Sequence, residues 1–190
     1  MMQKLVTTAA AFQEFCVANS LPFCFVGGLA VQAWGESRVT LDVDAAVYTG
    51  FENDDAVVSL LLEAFSARRP DAAEFALRNR VLLLKSPYQV DIDVALAGLD
   101  YEKRMIERSN LAEYLPGVSL RICSAEDLIV LKAFANRRRD WADIEGILAR
   151  QGDALDWTYI ETSLEPLAVA TDRPELMDAL RTLRDEMPPD

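Results

Sequence analysis

Apolar positions change period several times along the chain, and each change marks an element. Leu5, Ala9, Phe12, Phe15 and Cys16 recur at helical spacing and predict a helix over Leu5–Asn19, closed by Ser20-Leu21-Pro22. Phe23–Val26 reads as a short strand, and Gly27-Gly28 then opens a helix over about Leu29–Trp34 with Gly35 as its stop. Thr40–Tyr48 alternates and is rich in valine, so it predicts a strand. Val57, Val58, Leu61, Leu62 and Phe65 share one face of a helix over Asp54–Ala67. Phe75–Leu77, Arg80–Lys85 and Gln89–Leu96 read as extended runs, divided by turn chemistry at Arg78-Asn79 and Ser86-Pro87, in an antiparallel meander. Leu99–Ser109 is a polar helix, and Val118–Ile122 is a strand after Pro116-Gly117. Ser124 with Asp127 resembles a capping box, and from there the pattern is helical: a helix through Leu128, Leu131 and Ala135, then helices over about Trp141–Arg150, Leu155–Leu164 and Arg173–Met187. The fold class is therefore α+β, a mixed sheet flanked by helices over residues 1–123, followed by a C-terminal helical region over 124–190. With no Gly/Ser linker between them, the second is expected to pack on the first.

Two of the strands carry acids on alternate positions. In Leu41-Asp42-Val43-Asp44 both carboxylates emerge on one face while the apolar residues point to the other. Two adjacent acids repel unless a cation lies between them, and a divalent ion on a nucleoside triphosphate meets that need with one or two carboxylates. Gly27-Gly28 stands at a strand-to-helix turn, where backbone N–H groups can point at a phosphate. Val90-Asp91-Ile92-Asp93-Val94 repeats the acidic alternation, so Asp91 or Asp93 would join Asp42 and Asp44 if the strands are neighbours. The bland account of each strand is a solvated face, but aspartate is disfavoured in strands and the pattern occurs twice. Lys132 lies on or beside the apolar stripe of its helix, and Arg139 and Asp143 would continue that stripe if the helix ran on. Lys132 and Arg139 could then offer positive charge to phosphates, with Asp143 orienting one of them; alternatively, Lys132, Asp140 and Asp143 form an ion-pair network between helices.

Composition narrows the chemistry. The 190 residues include no histidine, which removes Ser-His-Asp, Cys-His and His-ligated zinc sites together. A net charge of −12 argues against binding nucleic acid mainly through its backbone, although Arg137-Arg138-Arg139 is a local basic run, placed in a turn between helices. Cys16, Cys24 and Cys123 match no metal or redox spacing and read as buried thiols. No apolar run is long enough to span a membrane and no signal-type pattern opens the chain, which points to a cytoplasmic protein.

Gly27-Gly28-Leu29-Ala30 with Gly35, Arg38, Thr40, Asp42 and Asp44, followed by a later acid on a strand, resembles the nucleotidyltransferase superfamily of the polymerase-β type, in particular the minimal bacterial branch of AbiEii-type toxins. Glu126–Ala133 and Arg139–Ile144 resemble the helical motif of that branch, so the likeness spans about residues 20–150. The resemblance implies a nucleotidyltransferase-like sheet, Mg²⁺ or Mn²⁺ on Asp42, Asp44 and Asp91, with Asp93 the alternative third acid, and a triphosphate contacted by Gly27 and Gly28. Arg38 and Thr40 would support the loop into the acidic strand, Arg38 serving equally as a structural partner of acids. AbiEii-type toxins also carry a lysine on a strand near the third acid; Lys85 precedes that strand and is not taken as its counterpart.

The implied reaction moves a nucleoside monophosphate from an NTP to an RNA, a protein hydroxyl or a small molecule such as an aminoglycoside, within a toxin-antitoxin or phage-defence pair that would include a cognate antitoxin. The acidic composition tilts the acceptor toward a small or cationic one. The alternative is a non-catalytic module of the same fold in a two-gene system. An Asp-x-Asp sugar transferase would leave the glycine pair without a role.

Overall fold

The computed structural model describes residues 2–186. Two compact units make up the chain, one of Met1–Leu29 and Val39–Cys123, the other of Ala30–Arg38 and Ser124–Asp190. Among the described residues no helix is long and apolar enough to cross a membrane.

The first unit is built on a seven-stranded mixed sheet. Its strands are β1 (Phe23–Phe25), β2 (Asp42–Tyr48), β3 (Ser66–Ala67), β4 (Val81–Lys85), β5 (Asp91–Ala97), β6 (Asn110–Leu115) and β7 (Val118–Ile122), in the spatial order β3-β4-β5-β2-β1-β7-β6. The acidic strands β2 and β5 are parallel neighbours at the centre, whereas β4 and β5 form an antiparallel hairpin. Alternation explains the layering. Val43, Ile92, Val94, Leu82 and Leu84 are buried, while Asp42, Asp44, Asp91 and Asp93 are only half-buried. The core includes Phe12 of α1 (Met2–Ala18), whose ring centroid is 5.6 Å from that of Phe65 and 6.1 Å from that of Phe25. Cys16 is in the same core, and burial pushes its thiol up to about 12, so it is inert at neutral pH; Cys24 and Cys123 are buried too.

Several boundaries differ from the sequence pattern. Phe75–Leu77 is helical, within α4 (Ala72–Asn79), because Ala72 and Ala76 supply a buried helical face that the three-residue run conceals. Arg80, at φ 56°, ends α4 and lets β4 begin. Helix α3 (Asp54–Ala64) stops short of Ala67 because Phe65 is extended, and Ser66–Ala67 becomes edge strand β3. Strand β6 was not anticipated, and α5 (Asp100–Glu107) is held at its start by Glu102, whose Oε2 accepts from the N–H groups of Gly98 and Leu99 at 2.8 and 2.9 Å.

The second unit holds the end of α2 (Gly27–Trp34) with α6 (Ala125–Ala135), α7 (Arg138–Gln151), α8 (Trp157–Ala170) and α9 (Glu175–Glu186). Ser124 caps α6 by accepting from Asp127 N–H at 3.1 Å. The Asp127 carboxylate in turn accepts from the Ser124 hydroxyl at 2.8 Å and the Tyr159 hydroxyl at 2.7 Å. Asn136, at φ 54°, breaks the helix after Ala135, so the stripe through Lys132 does not run on to Arg139 and Asp143. Arg138 and Arg139 belong to the first turn of α7 rather than to the turn before it, and Arg137 is its N-cap. The expected end of the last helix at Met187 lies outside the described residues.

Candidate functional site

The glycine pair is required by geometry. Gly27 sits at φ +57°, and a Cβ there would stand 2.0 Å from Asp44 Oδ2. A Cβ on Gly28 would stand 2.2 Å from Thr40 Oγ1. These glycines open α2, and the Gly28 N–H lies 3.5 Å from Asp44 Oδ2, so the helix start faces the acidic strand. Thr40 donates its hydroxyl to Asp42 Oδ1 at 3.0 Å and is itself buried.

Across the sheet Asp42 pairs in register with Asp91, and Asp44 with Asp93. The strands therefore bring all four carboxylates onto one face. On β5 the acids are held by cations that the sequence pattern did not single out. Arg68 donates to Asp91 Oδ2 at 2.6 Å and to Asp93 Oδ1, and Lys85 Nζ lies 2.5 Å from Asp91 Oδ1. Lys85 faces Asp91 directly because the β4–β5 hairpin is antiparallel. The hydrogen bond from Lys85, helped by Arg68 against burial, holds the Asp91 carboxyl below the ordinary aspartate range. Asp93 moves the other way: burial, with the like charges of Asp42 and Asp91, raises it against the pull of Arg68. Among the described residues no three His, Cys, Asp or Glu side chains converge closely enough to hold a metal ion.

The other expected site residues fall in the second unit. Arg38 grips Asp143 with two hydrogen bonds of 2.7 and 2.9 Å. Lys132, only 6 % exposed, reaches Asp140 at 2.9 Å and Asp143 at 2.6 Å, and Arg137 adds a bond to Asp140 at 2.6 Å. Burial would raise both carboxyls, but Arg38 and Lys132 on Asp143, and Arg137 and Lys132 on Asp140, hold them below the ordinary range. Lys132, Asp140 and Asp143 thus form a buried ion-pair network between α6 and α7, which Arg38 and Arg137 join. Arg139 is exposed on α7.

The closest fit of this arrangement to chemistry is a turn that presents backbone N–H groups beside two oxygen-donor carboxylates. Comparison with curated proteins finds no match. Among solved structures, an antigenic nucleotidyltransferase-like protein from Paracoccidioides brasiliensis aligns with a TM-score of 0.54 at 16% identity, over 94% of this chain and 93% of that one. The antibiotic-resistance factor ANT(2″)-Ia aligns in solution with a TM-score of 0.47 at 16% identity, over 96% of this chain and 94% of that one. In complex with adenylyl-2″-tobramycin it aligns at 0.43 and 18% identity, over 96% of this chain and 98% of that one. The mixed sheet flanked by helices is a nucleotidyltransferase-like fold. A family model described as "Nucleotidyltransferase of unknown function (DUF6036)" matches residues 3–178, and the chain belongs to that family.

Proposed function

We propose that the chain is a metal-dependent nucleotidyltransferase that transfers a nucleoside monophosphate from a nucleoside triphosphate to an acceptor hydroxyl. The observation that carries this reading is the Gly27-Gly28 turn, which tolerates no Cβ and aims the start of α2 at Asp44, two residues along β2 from Asp42. Family membership supports it. Hard carboxylate oxygens suit Mg²⁺ or Mn²⁺, which takes one or two of them and completes its shell with water and phosphate oxygens. Asp42 and Asp44 would hold the ion, with Asp91 adding its charge from the neighbouring strand while paired with Lys85 and Arg68, and the bound ion would neutralise the triphosphate and ease deprotonation of the acceptor.

The remaining work falls to the chain. Backbone N–H groups at Gly27 and Gly28 would donate to phosphate oxygens. Thr40 orients Asp42, and Lys85 and Arg68 fix Asp91. The acceptor oxygen bonds to the α-phosphorus, the bond to the bridging oxygen breaks with its electron pair leaving on pyrophosphate, and the hydroxyl proton passes to solvent. Positioning and charge account for such a step without a nucleophilic side chain. In the second unit, Arg38, Lys132 and Asp143 act on this reading as a support for the segment that follows the phosphate turn. An AbiEii-like toxin of the bacterial cytoplasm, paired with an antitoxin, is the finer form of the proposal and rests on the motif alone.

The test is incubation with Mn²⁺ or Mg²⁺ and each α-labelled triphosphate, alongside total RNA, protein and small-molecule extract. The parent chain should move label to one fraction, and an Asp42→Asn, Asp44→Asn variant should do so roughly 100-fold less. A parent that transfers nothing while binding a partner protein would overturn the proposal in favour of an interaction module.

A further inference from the structure

Arg68 starts at the edge of the sheet and reaches across β4 to β5. Its backbone N–H bonds Leu83 O at 3.1 Å, one residue beyond the paired positions of β3, and Leu83 is the register partner of Asp93. Val81, Leu83 and Lys85 alternate with the buried Leu82 and Leu84, so the face of β4 that carries Lys85 is also the face on which β5 carries Asp91 and Asp93.

The guanidinium divides itself between the two acids of β5. Nη1 donates to Asp91 Oδ2 at 2.6 Å, and Nη2 donates to Asp93 Oδ1. The other oxygen of Asp91, Oδ1, accepts from Lys85 Nζ at 2.5 Å, so both oxygens of that carboxylate already face a cation. Arg68 Nε is buried and has no acceptor among the described residues. Such a donor costs about 1–3 kcal/mol, which identifies the two carboxylates, with their charge-assisted bonds, as the groups that hold the side chain where it is. A cation bridging Asp91 and Asp93 stands where a second divalent ion would stand. Paired-metal sites place their ions about 3.5–4 Å apart, and Asp42 and Asp44 are the register partners of Asp91 and Asp93 on the adjacent strand. Arginine keeps its charge at any pH a protein tolerates, and it only donates hydrogen bonds.

We propose that Arg68 fills the second cation position of the acidic face, so that the chain takes one divalent ion, on β2, and Asp91 and Asp93 serve as counter-ions of Arg68 rather than as metal ligands. The ion on β2 rests on the nucleotidyltransferase reading; the arrangement on β5 does not. Arg68 is thus a positioning residue. It fixes the two acids of β5 beside β2 and offers no open coordination position to an acceptor hydroxyl.

The experiment counts the Mn²⁺ bound by the full chain without triphosphate, from the electron paramagnetic resonance signal of the free ion. The parent should bind one ion. Asp91→Asn should still bind one, whereas the Asp42→Asn, Asp44→Asn variant should bind none. Arg68→Gln, its folding checked by circular dichroism, should bind two, with the spin coupling of ions about 4 Å apart. That coupling is a signature that a merely structural role for Arg68 would not produce. Should Arg68→Gln fail to fold, the counts for the parent and Asp91→Asn decide. Two ions on the parent, loss of the ion in Asp91→Asn, or a folded Arg68→Gln chain that binds only one would overturn the proposal and leave the transfer reaction standing. A parent that binds no ion would overturn it together with the metal-dependent reading.

Discussion

Asp143 has two cationic partners and almost no water. Breaking such a buried arrangement by removing one partner costs about 3 kcal/mol, so Lys132→Met should lower stability by that order even though Arg38 and Arg137 still reach the acids. The same residues give stability a pH dependence. Asp140 and Asp143 ionise below the ordinary aspartate value, so their contribution is fully present above about pH 4, where the unfolded chain has also lost these protons. It disappears as pH falls through the depressed native values. Thermal unfolding followed from pH 7 to pH 3 should show Tm dropping steeply below about pH 4, and Asp143→Asn should lower Tm at pH 7 while making the drop shallower. A curve of unchanged shape in that variant would mean that other carboxylates set the acid limit.

The break between α6 and α7 depends on Asn136, whose N–H bonds Lys132 O at 3.1 Å and whose side-chain oxygen accepts from Trp141 Nε1 at 2.7 Å. Asn136→Gly keeps the left-handed backbone and loses the tryptophan bond, about 1 kcal/mol. Asn136→Ala loses the bond and adds left-handed strain, about 1 kcal/mol more. Urea unfolding should rank the parent above Gly and Gly above Ala; equal values for the two variants would show that the backbone conformation is not the determinant. Elements of this kind divide into legible and hidden ones. β2 and β5 were legible because each alternates acid with branched apolar residues, and the glycine pair because its reason is local to the backbone. β3 and β6 were hidden, since short or exposed edge strands bury too little to impose a period. Lys85 was discounted because it precedes β5 in the chain, although an antiparallel hairpin sets earlier residues opposite later ones. Arg68 carried no motif. The signal available for it was the pair of acids on β5, which calls for a nearby cation, and Arg68 directly follows β3, a strand that the sequence pattern did not reveal.

At the scale of the molecule, the helical unit is discontinuous in sequence. Its segment Ala30–Arg38 supplies carbonyl acceptors as well as Arg38: Arg150 donates to Gly35 O at 2.8 Å and Gln151 to Trp34 O at 2.8 Å. Residues 124–190 expressed alone lack these partners and Arg38, one of the two counter-charges of Asp143. The fragment should show little helix by circular dichroism and no cooperative thermal transition, and a cooperative transition would make Ala30–Arg38 dispensable to it. Helix α2 is the element through which the division between units passes, and Gly27 is its first residue. Every codon reachable from a glycine codon by one base change encodes either glycine again, a stop, or a residue with a Cβ. At Gly27 that atom would enter the space of the Asp44 side chain, so every coding change there short of silence must displace one of the two acids of β2.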